Sequence, residues 1–174
     1  MRILGIDPGS SVTGYGVVER GPGRLVHVAH GTLRPPRDVP LAYRLDHLYR
    51  TIAEVIALHA PDCVAVEQVF VAASPRSALV LGQARGAILA AVAARGLPVN
   101  EYTPARIKRS VTGNGRASKR QVKFMVKRLL ASIGFRWTTP LTRWLPPSPT
   151  RTRVAWILWE WCATPGDAVP ARAP

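Results

Sequence analysis

Asp7 closes the apolar run Arg2–Asp7 just before Pro8-Gly9-Ser10-Ser11, and Glu67 closes a second apolar run, Cys63–Glu67. Ligands of an α/β sheet bind where strands end and chains diverge. Two carboxylates placed there are hard oxygen donors suited to divalent metal. The competing reading of the same pair is a turn-capping aspartate and a solvated glutamate. A second group of residues suggests a polyanion. Residues 106 to 128 carry Arg106, Lys108, Arg109, Arg116, Lys119, Arg120, Lys123, Lys127 and Arg128 and not one acid. Among them, Gly113-Asn114-Gly115 lets backbone come close to a phosphate, and the helix start at Ser118 offers free N–H groups to an anion. A solvated helix face is the plainer alternative. Phe70, three residues after Glu67, is either a stacking group for an unpaired base or a core phenylalanine.

The whole composition agrees with the basic segment. The chain has 174 residues, with 24 Lys plus Arg against 10 Asp plus Glu and a formal net charge of +14. Such an excess favours a partner whose phosphates it neutralises with release of counterions. With 47% hydrophobic residues the chain is not a disordered polyampholyte and can bury a core. Its longest apolar runs, such as Ala87 to Ala94, are far short of the roughly 20 residues of a membrane span, so no membrane is expected. The start Met1-Arg2-Ile3-Leu4-Gly5-Ile6-Asp7 does not read as a secretory signal, and a cytoplasmic protein is the expectation. Cys63 and Cys162 are too few for a disulfide scaffold and lack zinc-ligand spacing.

Elements must position these residues. Arg2–Asp7, Gly14–Glu19 and Leu25–Leu33 read as three leading strands, the last two joined at Gly21-Pro22-Gly23. Leu41, Leu45, Leu48, Ile52, Val55 and Ile56 recur at helical spacing in a segment that ends before Pro61. The buried strand Cys63–Glu67 follows. Ser74-Pro75 starts a helix running to about Arg95-Gly96, Leu97–Tyr102 is a strand, and Thr103-Pro104 starts a short helix. Ser118-x-x-Gln121 is a capping box opening a further helix that buries Val122, Met125, Val126, Leu129 and Leu130. This order predicts an α/β fold, a ribonuclease-H-like mixed sheet flanked by helices in a single domain over residues 1–130.

Several segments resemble the RuvC family of Holliday-junction resolvases. They are Gly5-Ile6-Asp7-Pro8-Gly9-Ser10, Gly14-Tyr15-Gly16, Ala65-Val66-Glu67-Gln68-Val69-Phe70, Leu81-Gly82-Gln83-Ala84-Arg85-Gly86 and the stretch from Lys108 to Lys119. Their order and spacing carry more weight than any one of them, because Gly-Ile-Asp-x-Gly alone also opens actin-like ATPases. The resemblance covers about residues 1 to 130. It implies a homodimeric endonuclease that nicks opposing strands of four-way junction DNA in recombination and repair, alongside branch-migration motor proteins. It also implies two Mg2+ per active site, with Mn2+ as a substitute, held by four acids of which Asp7 and Glu67 match the first two. By motif position Phe70 wedges against bases, Lys108 and Lys119 grip phosphates, and Arg116 belongs to the same DNA-binding segment. The helix from Ser74 is the expected dimer contact, because Gly82 and Gly86 leave one face low; packing of that face on its own sheet is the alternative.

The chain departs from the family beyond about residue 130. The last 44 residues, 131–174, hold all five tryptophans and seven of the 16 prolines, and show no sustained period. They read as a disordered or non-native tail. The family's third and fourth acids belong to an Asp-x-x-Asp-Ala-Leu-Ala motif, but the matching stretch Trp137–Thr150 has no carboxylate and four prolines. Read in the neighbouring frame, the end of the Trp137 codon and the start of Thr138 form GAC, which is Asp. The codons that follow permit Asp or His, Ala, Ala, Asp, Ala, Leu and Ala; the code forces only the first Asp. A base gained or lost between codons 130 and 137 would explain the break in composition, and the missing acids would fall near positions 139 and 142. Two functional readings follow, a Mg-dependent resolvase or a catalytically silent junction-binding protein. A third, an actin-like nucleotide-binding domain, lacks a second Asp-Gly phosphate loop.

Overall fold

The computed structural model describes residues 1–21, 24–68, 74–118, 120–122 and 124–125. Five strands and three helices occur in it: β1 (Arg2–Asp7), β2 (Thr13–Gly21), β3 (Arg24–Leu33), α1 (Leu41–His59), β4 (Cys63–Glu67), α2 (Pro75–Ala93), β5 (Val99–Tyr102) and α3 (Pro104–Thr112). The expected order of elements is present, with β5 starting two residues later and α2 ending sooner than the sequence suggests. The turn at Pro22-Gly23, the expected Phe70 and Lys119 contacts, and the tail 131–174 lie outside the described residues.

The sheet is mixed, with strand order β3-β2-β1-β4-β5. β1 and β2 run antiparallel, as do β2 and β3, while β1–β4 and β4–β5 are parallel. β4 is buried along its whole length and β1 nearly so, as central parallel strands covered on both faces must be. Strand residues alternate between faces. Leu4 and Ile6 of β1 and Val64 and Val66 of β4 join Leu48, Ile52, Val55 and Ile56 of α1 and Ala84, Ile88, Ala91 and Val92 of α2 in one apolar cluster. Ile3, Gly5 and Asp7, with Cys63, Ala65 and Glu67, therefore belong to the other face.

Local chemistry starts and stops the helices as the sequence suggests. The Ser74 hydroxyl accepts from the Ser77 N–H at 3.2 Å, and the Thr103 hydroxyl accepts from the Arg106 N–H at 3.1 Å, each with proline in the first turn. α1 differs, since its N-cap is Pro40 and makes no side-chain cap bond. Its stability comes from its buried face instead. The Ser118–Gln121 capping box is formed, with the Ser118 N–H donating to Gln121 Oε1 at 2.8 Å. Val122 is buried beyond it, whereas Met125 is only partly so. Arg2 ties the start of β1 to two neighbours, donating to the His59 carbonyl at 2.7 Å and pairing with Glu19 at 2.8 Å. That guanidinium holds the Glu19 carboxyl below its ordinary range.

A bulge between Val17 and Val18 in the β2–β3 pairing shifts the alternation of β3 and brings His27 Nε2 within 2.9 Å of His30 Nδ1. Burial first, and the His30 charge second, lower the His27 pKa from its ordinary 6.5. The unfolded chain therefore takes up this proton more readily. The contribution is absent above about pH 6.5 and becomes destabilising as pH falls through that value. Urea midpoints measured between pH 7.5 and 5 should fall less steeply for His27→Gln than for the parent chain. Ile52→Ala, which empties a fully buried α1 position against β1 and β4, should lower unfolding free energy by about 2–5 kcal/mol in urea titration.

Candidate active site

Asp7 and Glu67 each stand one residue beyond the last parallel pair, Ile6 opposite Val66, at the same end of adjacent strands. Neighbouring strands are separated by roughly 4.8 Å. Parity places both carboxylates on the face away from the α1–α2 cluster, and each residue is only 4% exposed. The solvated-glutamate reading of Glu67 is thereby corrected, because every residue of β4 is buried. Two acids taken out of water side by side are costly unless cations or hydrogen bonds compensate them.

The connection after Asp7 is tight. A Cβ at Gly9 would meet the Val12 carbonyl oxygen at 2.1 Å, so this position accepts no side chain without a shift of backbone. The Gly9 N–H donates to Thr13 Oγ1 at 3.2 Å, and the Thr13 hydroxyl donates back to the Gly9 carbonyl at 3.0 Å. On the Glu67 side, the Gln68 N–H donates to the Tyr102 carbonyl at 2.8 Å, and Gln68 Nε2 donates to Glu101 at 3.1 Å. The other Glu101 oxygen pairs with Arg85 of α2 at 2.6 Å. Sequence reasoning did not single out Arg85, Gln68 and Glu101 as supports of the site, since their contacts join residues far apart in the chain.

The basic segment begins at the same edge. Tyr102 is the register partner of Glu67, and α3 starts two residues later. Arg106 lies over the Tyr102 ring, 5.2 Å from its centre. Lys108 is half-buried on α3, and α3 ends at Gly113 in a left-handed conformation, φ 74°. Asn114 Oδ1 then accepts from the Arg116 N–H at 2.9 Å, fixing a compact turn whose Arg116 side chain is exposed. A cleft of about 550 Å³ opens beside this turn between Thr112, Asn114, Arg120 and Phe124. Asp7 and Glu67 thus stand together at one end of the sheet, Lys108 and Arg116 belong to the segment that leaves from that end, and Phe70 and Lys119 lie outside the described residues.

The donor set fits one divalent ion. Two carboxylates supply hard oxygen ligands at a strand edge, and water can complete the shell of Mg2+ or Mn2+. Among the described residues these two carboxylates supply −2, which offsets one divalent ion and only half the charge of two. No group of three or more His, Cys, Asp or Glu that could hold a metal occurs among the described residues, and the sequence has no acid between Glu101 and Glu160. Mn2+ at 100 times its dissociation constant should stabilise the protein by about 2.7 kcal/mol. Thermal melts with and without Mn2+ should register this for the parent chain and lose most of it in Asp7→Asn and Glu67→Gln.

A family model described as crossover junction endodeoxyribonuclease RuvC matches residues 3–134. A protein of Hyphomonas neptunium named crossover junction endodeoxyribonuclease RuvC is 54% identical over 134 residues, which cover 77% of this chain and 80% of that one. Among solved structures, Thermus thermophilus RuvC superposes with a TM-score of 0.76 and 28% identity over 94% of either chain. A second structure, described as T. thermophilus RuvC in complex with Holliday junction substrate, gives a TM-score of 0.75 at 24% identity, again over 94% of each chain, and speaks to the fold. No described helix is long and apolar enough to cross a membrane.

Proposed function

The chain belongs to the RuvC family of crossover junction endodeoxyribonucleases, and from that premise we propose that Asp7 and Glu67 are its metal-binding catalytic acids in the resolution of four-way DNA junctions. The observation that carries this reading is the register of β1 and β4. It sets two buried carboxylates side by side at the edge where the acid-free basic segment begins. Mg2+ bound there, with Mn2+ as a substitute, supplies a water nucleophile at neutral pH and stabilises charge on the phosphoryl oxygens.

The protein's own part is positioning. Asp7 and Glu67 fix the ion against the sheet edge, Lys108 and Arg116 hold phosphates, and the Gly113–Arg116 turn lets the backbone approach them. Lys119 and Phe70 complete this reading by motif position, Lys119 on a phosphate and Phe70 on bases at the crossover. A homodimer gives the junction its two equivalent cuts. Support for that pairing comes from α2, where Leu79 is 65% exposed and a Cβ at Gly82 or Gly86 would meet nothing within 4 Å. That open space argues against burial of this face on the chain's own described sheet.

The same reading divides the chain at about residue 130. Residues 1–130 form the nuclease domain, and 131–174 form a tail translated out of frame, so the third and fourth acids near positions 139 and 142 are missing. The family match ends at residue 134, close to the break in composition. With two carboxylates in place of four, the chain binds junctions and cuts them poorly. A silent junction-binding protein is therefore the second reading, favoured by the absence of any acid between Glu101 and Glu160.

Sequencing codons 125–160 in source DNA should reveal a gained or lost base, and the frame-corrected chain should cut a four-way junction with Mg2+ while the 174-residue chain binds it with little cutting. A confirmed frame leaves the silent binder. Mg-dependent cutting by the 174-residue chain that survives Asp7→Asn would remove Asp7 from the mechanism. Junction affinity should fall with salt at a log–log slope of about −0.9 per phosphate contacted, and Arg116→Ala should lessen that slope by about 1.

A further inference from the structure

Arg44 stands on α1, at the sheet edge where β1 ends, 34 residues from the turn it touches. Its Nη2 donates to the Ser10 carbonyl at 2.5 Å. Its Nε–H is buried and has no acceptor among the described residues. The turn it grips, Pro8 to Val12, connects Asp7 to Thr13. Thr13 holds that turn from within through its two bonds to Gly9, while Arg44 holds it from the helical layer. α1 is itself anchored on the sheet by Leu48, Ile52, Val55 and Ile56, so the guanidinium transmits a rigid reference point to the residues after Asp7.

We propose that Arg44 is a positioning residue for the Asp7 carboxylate, acting through the Pro8–Val12 turn. The inference rests on the reading of Asp7 as a metal-binding acid. A carboxylate at the end of a strand is aimed by the backbone on both sides of it. β1 and its partners determine the preceding side, and the turn determines the following one. Gly9 allows the turn its close approach to Val12 but, lacking a side chain, gives it no anchor. An arginine suits the task better than a lysine, because its planar fork is pre-organised and always charged. Groups that orient a metal ligand are worth roughly 10- to 100-fold in metal affinity.

The test uses the full chain with Arg44→Met, Arg44→Lys and Asp7→Asn, read by Mn2+ titration and by amide hydrogen exchange of residues 9–13. Arg44→Met is expected to weaken Mn2+ binding about 10-fold and to speed exchange in the turn by a similar factor, with Arg44→Lys recovering part of both. Exchange in α1 around Ile52 should stay as in the parent, which separates loss of the anchor from loss of the helix. Unchanged exchange at residues 9–13 in Arg44→Met overturns the proposal whatever the metal does. Faster exchange with unchanged Mn2+ affinity overturns the link to Asp7. If Asp7→Asn leaves Mn2+ binding intact, the metal reading fails, and the exchange result alone decides whether Arg44 holds the turn.

Discussion

The parallel pairing of β1 with β4 is the constraint on which the rest of this structure depends. One register, Ile3 opposite Cys63 through Ile6 opposite Val66, does two things at once. It puts Leu4, Ile6, Val64 and Val66 on the face covered by α1 and α2, which supplies most of the apolar burial. It also brings Asp7 and Glu67 to the same end of the other face. A slip of one residue would reverse both, sending the acids into the apolar cluster and the core residues out of it. Packing against α1 and α2 and presentation of the acids are thus the same structural fact.

Charge supplies the second organising force. Burying two adjacent carboxylates is unfavourable in isolation, and a protein tolerates it where a cation is to be bound. The segment that leaves the sheet after Tyr102, the register partner of Glu67, has the opposite excess in its sequence, since residues 106 to 128 have nine basic side chains and no acid. Two acids stand together at one strand end, and the basic segment starts from the neighbouring strand. That arrangement suits a phosphodiester whose reacting phosphate approaches metal while its neighbours are held by lysine and arginine.

Supports for the site come from far away in sequence. Glu101 uses one oxygen on Gln68, beside Glu67, and the other on Arg85 of α2, so it links the strand end to the helix proposed as the dimer contact. Arg44 does the equivalent for the Asp7 side from α1. These half-buried charged groups add little to global stability as isolated pairs. Their importance is geometric, because each ties a strand end to a helix already fixed by apolar packing.

The sequence by itself determined the elements and the two acids. Helix starts at Ser74-Pro75, Thr103-Pro104 and Ser118-x-x-Gln121 are local hydrogen-bonding signals, and the strands β1 and β4 are short apolar runs with an acid at the end. Such features depend on neighbours within a few residues, so they can be read along the chain. The break near residue 131 is legible for the same reason, as a change of composition and period. Tertiary structure alone decided that Glu67 is buried rather than solvated, that the Gly82–Gly86 face of α2 is open among the described residues, and that a bulge in the β2–β3 pairing brings His27 against His30. It alone joined Arg44 to Ser10 and Glu101 to Gln68, across 34 and 33 residues. Contacts of that span leave no periodic trace, because they depend on which strands pair and in what register, and that is settled only when the whole apolar cluster assembles.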